Sequence, residues 1–432
     1  MKRKAIFIFL SLLIPVVVFA AGAGTPEMNI AGIPLEFILF GGMLLGIALL
    51  PDHTTLVAAV GLAAILILKI FFLHFDIADH LRDETPELLN LLGLLLGFAI
   101  LAKLFEDSHL PKALPKIMPD NWKGPFLLLV MVFVLSSFLD NIAAALIGGS
   151  IALVVFRGKV HIGYLAAIVA ASNGGGAGSV VGDTTTTMMW VDGVAPVDVL
   201  HAYLAAVPAL LFFGIIASRL QQSYHPMIKG PHHAPKIDVR KLVVCFFVLV
   251  GAIVANFALG LPAIGVWVAI LLGAFVTRVE WEELQKAIPG SIFLLLQMLA
   301  ASLMPVDKLP PASWQSSLAI GFVSSVFNNI PLTKLALDQG GYDWGVLAYC
   351  VGFGGSMIWF GSSAGVAICS MFPEARSVVN WVKKGWFVAA AYVVGFAVLI
   401  GILGWHPHAP HKDYGDPDIE IVSGDANGSV SG

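Results

Sequence analysis

Phe133-Val134-Leu135-Ser136-Ser137-Phe138-Leu139-Asp140-Asn141-Ile142 is answered, 188 residues later, by Gly321-Phe322-Val323-Ser324-Ser325-Val326-Phe327-Asn328-Asn329-Ile330. Both stretches carry Ser-Ser-x-x-(Asp/Asn)-Asn-Ile. Downstream, Gly175-Gly176 with Gly182-Asp183-Thr184 lines up with Gly354-Gly355 and Gly361-Ser362-Ser363, and the step from the second glycine to the third is six residues in each. Two matches in one order mark an internal duplication. Every matched piece interrupts a long apolar run (125–156, 163–194, 315–337 and 344–372), so polar residues and glycines fall at mid-membrane. Glycine-interrupted hydrophobic segments at corresponding places in two halves are the sequence signature of a transporter's binding region.

The surroundings fit a bilayer. Of 432 residues, 58% are hydrophobic and 12% charged, about half the charge of an average soluble chain. Other apolar runs lie near 33–50, 54–73, 87–104, 197–216, 241–259, 262–277, 291–305 and 385–404. Most approach the roughly 20 apolar residues that a helix needs to cross a bilayer. They are continuous rather than alternating, which excludes a transmembrane β-barrel. The three cysteines, Cys245, Cys350 and Cys369, sit in apolar runs without metal-ligand spacing, and read as small packing residues. No basic tract supports nucleic-acid binding and no nucleotide-binding motif appears.

Residues 1–23 combine Lys2-Arg3-Lys4, an apolar stretch and Ala20-Ala21-Gly22-Ala23, the layout of a signal peptide or an uncleaved N-terminal anchor. The first repeat is expected over 33–216, a cytoplasmic connection over 217–240, the second repeat over 241–404, and a flexible acidic tail over 405–432. If each Ser-Ser…Asn segment is a re-entrant hairpin, each half has about five crossings, an odd number, and the second half is inverted. That arrangement places 19 of the 24 lysines and arginines on the cytoplasmic side, as the positive-inside rule requires. Full crossings would instead move Arg157, Lys159 and the basic connection outside. The expected fold is therefore an all-α polytopic membrane protein of two inverted-topology repeats with broken helices at mid-membrane, its tail outside the cytoplasm.

Irregular backbone at membrane depth persists only where protein or a water-filled cavity satisfies it. Around the breaks cluster Ser136, Ser137, Asp140, Asn141, Asn173, Asp183, Thr184, Thr185 and Thr186 from the first half. The second half supplies Ser324, Ser325, Asn328, Asn329, Thr333, Ser356, Ser362 and Ser363. Hydroxyl, amide and carboxylate oxygens suit a small alkali cation. Membrane serines and threonines also commonly do no more than bond carbonyls of the preceding turn. Asp140 and Asp183 are different in kind, because an ionisable residue near the bilayer centre costs about 2.5–3.5 kcal/mol even on the mildest scale. Lys334 lies inside a break region; it reads either as a partner of a carboxylate or as a side chain snorkelling to the outer surface. A membrane-embedded hydrolase would need a nucleophile–base set, and the spans offer only His201 at a margin, so no enzyme is expected.

The run from Asn173-Gly174-Gly175-Gly176 through Gly182-Asp183-Thr184-Thr185-Thr186-Thr187-Met188-Met189-Trp190 resembles the signature of NhaD-type sodium/proton antiporters. These belong to the ion transporter superfamily, with arsenite, citrate and dicarboxylate carriers as relatives. Leu139-Asp140-Asn141-Ile142 resembles that family's acidic/amide element, and Gly354-Gly355 through Ser362-Ser363 its second-half counterpart. Here Ile142-Ala143-Ala144-Ala145 follows where the family resembles Leu-Thr-Thr. The resemblance covers roughly 33–404. It implies a mobile transport domain moving against a scaffold, often in a homodimer, in the inner membrane. It implies exchange of Na+ or Li+ for H+, with the lipid bilayer and the transported ions as partners and no cofactor. Asp140 and Asp183 would carry the cation and the proton in turn, completed by Asn141, Asn173, Thr184, Thr185, Asn329, Ser362 and Ser363. Cation-coupled uptake of citrate or another carboxylate is the alternative, and Lys334 is the positive neighbour such an anion would want.

Overall fold

The computed structural model describes residues 29–30, 32–50, 53–110, 118–227 and 236–408. The expected leader over 1–23 and most of the acidic tail lie outside the described residues. Apart from a two-residue pairing of β1 (Asn29–Ile30) with β2 (Ile33–Pro34), the described chain is helical. Among the described residues, six helices are long and apolar enough to cross a membrane, including Thr54–Phe72, Ile77–Asp107 and Val378–Leu403. The outward side chains are those that lipid would cover: Phe246, Phe257, Leu272 and, at 90% exposure, Phe275. The protein is a polytopic helical membrane protein.

In the first half an outer arm is formed by α1 (Leu35–Leu49), α2 (Thr54–Ile67, continued by a wider turn to Phe72) and α3 (Ile77–Asp107). Then come α4 (Lys123–Ser136), α5 (Asn141–Val155), α6 (Ile162–Ala177), α7 (Thr184–Val191), the short α8 (Pro196–Leu200) and α9 (Tyr203–Tyr224). The second half repeats the order: α10 (Val239–Leu259), α11 (Pro262–Gly273) and α12 (Glu282–Ser302) form an arm. They are followed by α13 (Trp314–Ser324), α14 (Asn329–Gln339), α15 (Trp344–Gly354), α16 (Ser363–Met371) and α17 (Val378–Leu403).

The packing obeys a two-fold exchange of halves. The α1/α2 hairpin leans on α12, and its counterpart α10/α11 leans on α3; α3 and α12 meet at the centre. Inside, α4 packs on α6 as α13 does on α15, while α7 touches α14 and α5 touches α16. The equivalent helices α3 and α12 run in opposite directions, because His80 at the start of α3 is hydrogen-bonded to Ser302 at the end of α12, at 3.0 Å. Equivalent helices pointing opposite ways are what an inverted repeat means.

The interrupted runs are broken where the duplicated motifs stand. α4 and α5 form an antiparallel hairpin with its tip at Ser137–Asp140, and Gly148 on α5 lets Val132 of α4 approach closely. The tip of the second hairpin lies between Ser324 and Asn329. Between α6 and α7, and again between α15 and α16, the chain unwinds. Glycine is required there by close backbone approach: a Cβ on Gly175 would meet the carbonyl oxygen of Phe133, and one on Gly354 that of Gly321. Phe133 and Gly321 are the aligned first residues of the two opening motifs. The basic ends gather at one face of the molecule: Lys241 bonds Asp107 at 3.1 Å, Gln221 donates to the Lys159 carbonyl at 3.1 Å, and Gly163 abuts the Lys384 backbone.

Candidate functional site

Each break restarts a helix, and each restart needs an oxygen to accept the first unpaired N–H groups. Asp140 caps α5, accepting from Ile142 N at 3.0 Å, and Asn328 caps α14, accepting from Ile330 N at 3.2 Å. Asp183 caps α7, accepting from Thr185 N at 2.9 Å, and Ser362 caps α16, accepting from Gly365 N at 3.2 Å. All four caps line one cavity of about 1240 Å³, together with Thr184, Ser363 and Gln297. The upper walls are apolar, with Leu94 and Phe98 of α3 and Leu146 and Ile147 of α5. The cavity runs out to a charged rim of Lys103, Glu106, Glu283 and Lys286.

Asp183 is buried, yet its carboxylate is well served. Oδ1 accepts from Thr185 N and from Thr185 Oγ1, both at 2.9 Å, and Oδ2 accepts from Asn141 Nδ2 at 2.7 Å. A carboxylate has about four lone-pair sites and three are taken here, so one more ligand fits. Asn141 also donates to Asn173 Oδ1 at 3.1 Å, and Asn173 Nδ2 reaches Ser356 Oγ at 3.0 Å, joining the two repeats. Asp140 is half-buried on the same cavity floor.

Most of the remaining hydroxyls repair backbone, although buried Ser136 Oγ has no hydrogen-bond partner among the described residues. Thr186 Oγ1 donates to Ser179 O at 2.6 Å and Thr187 Oγ1 to Val180 O at 2.9 Å, both in the unwound stretch. Ser137 Oγ lies 3.2 Å from Gly175 O, and Ser179 Oγ donates to Ser137 O at 2.7 Å, tying the hairpin tip to the broken helix. Ser324 Oγ donates to Val351 O at 2.9 Å, Ser325 Oγ to Phe322 O at 2.6 Å and Thr333 Oγ1 to Asn329 O at 2.9 Å. Such bonds answer the demand that irregular backbone at membrane depth be satisfied internally. Asn329 is buried behind the second hairpin tip.

Lys334 is an ion partner, and the snorkelling alternative fails. Its side chain has no exposure, and its ammonium lies 2.8 Å from Asp338, 3.2 Å from Glu84 and 3.6 Å from Glu87. It is not among the residues lining the cavity. Glu84 escapes a reading by apolar runs because α3 begins at Ile77, ten residues before its apolar stretch, and Glu87 stands at the edge of that stretch. Gln297 escapes it too: fully buried on α12, it accepts from Asn328 Nδ2 at 3.2 Å. Its own Nε2 has no hydrogen-bond partner among the described residues. A lone amide in an apolar helix carries no signal until the fold sets it against the hairpin tip.

A citrate transporter family model matches residues 4–354, well over half of the chain. Over a shorter stretch the chain is similar to sodium/proton antiporter 1 of Arabidopsis thaliana, with 34% identity across 102 residues, 21% of this chain. That match spans only 17% of the Arabidopsis protein.

Proposed function

Since the chain belongs to the citrate transporter family, we propose that it is a secondary transporter that exchanges Na+ or Li+ for H+ across the inner membrane. The observation that carries this reading is the cavity floor. Two carboxylates, Asp140 and Asp183, stand there with the neutral oxygens of Thr184, Asn328, Ser362 and Ser363. The lysines among the lining residues are Lys103 and Lys286, at the rim and paired with Glu106 at 3.4 Å and Glu283 at 2.6 Å.

A cation and a proton compete naturally for such acids. Ionised, a buried carboxylate is costly unless a counter-charge compensates it, and either Na+ or H+ supplies that charge. Carriage of the two is then mutually exclusive, which is the requirement for exchange. Each would leave by a cavity that faces one side at a time, the breaks forming the fixed site between the two repeats. The basic ends that mark the rim side are taken as cytoplasmic by the positive-inside rule, which puts the segment after α17 outside. The activity is transport and not catalysis.

Uptake of a carboxylate is the second reading. The family's own description and a cavity far larger than one ion favour it. Against it, a tricarboxylate at this floor would meet two acids, and the lysine it would seek is held elsewhere by Glu84 and Asp338.

The decisive experiment is paired transport in proteoliposomes. Na+ or Li+ is expected to drive proton flux, and radiolabelled citrate is expected not to accumulate. Citrate uptake without cation-driven proton flux would overturn the exchange reading.

A further inference from the structure

Lys334 and its acids lie behind the floor of the cavity, on the side away from the rim. Along α3 the rim residue Lys103 and the acid Glu84 are 19 positions apart, about 28 Å at 1.5 Å per residue. The deepest cavity residue on α3 is Leu94, so Glu84 and Glu87 begin two turns beyond it. The inner helices agree. α14 starts at the floor with Asn328 and carries Lys334 and Asp338 roughly two and three turns further on, at 3.6 residues per turn. α7 starts at the floor with Asp183 and ends at Asp192, within electrostatic reach of Lys334. The layer between the cavity floor and the opposite face is thus crossed by one buried ion set.

That set joins two bodies. Glu84 and Glu87 belong to α3, the central helix of an outer arm. Lys334 and Asp338 belong to the second hairpin, inside the bundle that holds the breaks. Asp338 sits one turn from Lys334 on the same helix and moves with it, whereas the two glutamates do not. Glu84 Oε2 is buried and has no hydrogen-bond partner among the described residues, and Lys334 is the shared partner of Glu84, Glu87 and Asp338.

We propose that Lys334 is the bolt of a far gate. While the cavity is open at the Lys103/Lys286 rim, the ammonium draws Glu84 and Glu87 of α3 against α14 and shuts the path to the other face. Opening that face requires the α3 acids to part from Lys334, which then keeps Asp338 as its partner. The retained i,i+4 partner lets the bolt slide without stranding a bare buried charge, which would otherwise be prohibitive. The inference rests on the chain being an alternating-access transporter, but not on which ion or acid it carries.

The test reads accessibility and needs no substrate. Cys245, Cys350 and Cys369 are replaced, and Ala143→Cys on the cavity wall is labelled with a membrane-impermeant maleimide from each side of oriented vesicles, without Na+ or citrate. With the gate intact, labelling is expected only from the rim side. In Glu84→Gln/Glu87→Gln, which leaves Lys334 its Asp338, labelling from the opposite side is expected to rise several-fold. Lys334→Arg should keep the original sidedness. A parallel version retaining only the buried Cys350 reports integrity; if that cysteine becomes labelled, the comparison passes to Glu87→Gln alone, where a smaller rise is expected. Unchanged sidedness in a variant whose Cys350 stays protected would overturn the gate. Failure of cation-driven proton flux would leave this result untouched and would bear only on the cargo.

Discussion

At the tip of the first hairpin stands Asp140, and at the tip of the second stands Asn328; at the first unwound span Asp183 restarts the helix, and at the second Ser362 does. All four accept a backbone N–H from two or three residues ahead, at 2.9–3.2 Å. Asp, Asn and Ser are near-equivalent as N-caps. Folding the break therefore asks for an oxygen and is indifferent to its charge, as the second repeat demonstrates with an amide and a hydroxyl. The first repeat meets the same demand with two acids that are expensive at membrane depth. Capping explains why an oxygen is there. It does not explain why the oxygen titrates, and that surplus is what carries the functional reading.

Converting the first repeat to the chemistry of the second is the sharpest way to break the comparison. Asp183→Asn keeps an acceptor for Thr185 N but turns an amide donor toward Asn141 Nδ2, so the protein should insert and lose about 1–3 kcal/mol of thermal stability in detergent, the scale of one unmet buried donor. Cation-driven proton flux should fall by at least about 100-fold, which corresponds to roughly 2.7 kcal/mol. In flux, Asp140→Asn should behave alike. Normal flux in either would return that acid to a purely capping role. The next effect is one of stability and should be equal in both halves. Gly175→Ala and Gly354→Ala each push a methyl into a carbonyl of the opening helix of their own hairpin. Each should cost about 1–3 kcal/mol, as overpacking does, measured as loss of folded protein on heating. A large inequality between them would show that the two breaks are not built alike.

Much of this was legible in the sequence because it is local. The kernel Ser-Ser-x-x-(Asp/Asn)-Asn-Ile and the spaced glycines mark the breaks, since close backbone contact demands glycine and a restarting helix calls for a cap. The inversion was legible from the odd number of crossings and the distribution of lysine and arginine. What could not be read was partnership across the fold. Lys334 pairs with Glu84 over 250 positions, and Gln297 meets Asn328 from another helix; neither has a periodic or spacing signal. Which serines would line the cavity was equally hidden. Ser363 lines it while Ser324 and Ser325 bond carbonyls, although all three sit in the same repeated motifs.

A smaller step removes a neutral cap. Asn328→Ala deletes the acceptor for Ile330 N and the donor to Gln297, and should cost about 1 kcal/mol of stability. Exchange should persist at a reduced rate, in contrast to the loss expected at Asp140. Stability comparable to the parent would mean that water or Gln297 takes over the cap.

The smallest effect is expected at the rim, and it sharpens the comparison because each repeat sets one acid-paired lysine there. The first repeat contributes Lys103 with Glu106 and, one residue further, Asp107; the second contributes Lys286 with Glu283, each set on one helix. Each pair has one exposed and one half-buried member, and an ion pair that water reaches is screened by salt and gains little. Lys103→Gln and Lys286→Gln should each change the apparent affinity for Na+ by no more than about twofold, the scale of exposed pairs, and the change should fade as ionic strength rises. Removing a positive charge beside the mouth favours arrival of a cation, so the sign should be a tighter apparent affinity in both. For citrate the same substitutions would weaken uptake, because an anion is steered by the lysines that a cation must pass. The rim thus separates the two cargoes by sign while treating the repeats alike, whereas the floor separates the repeats.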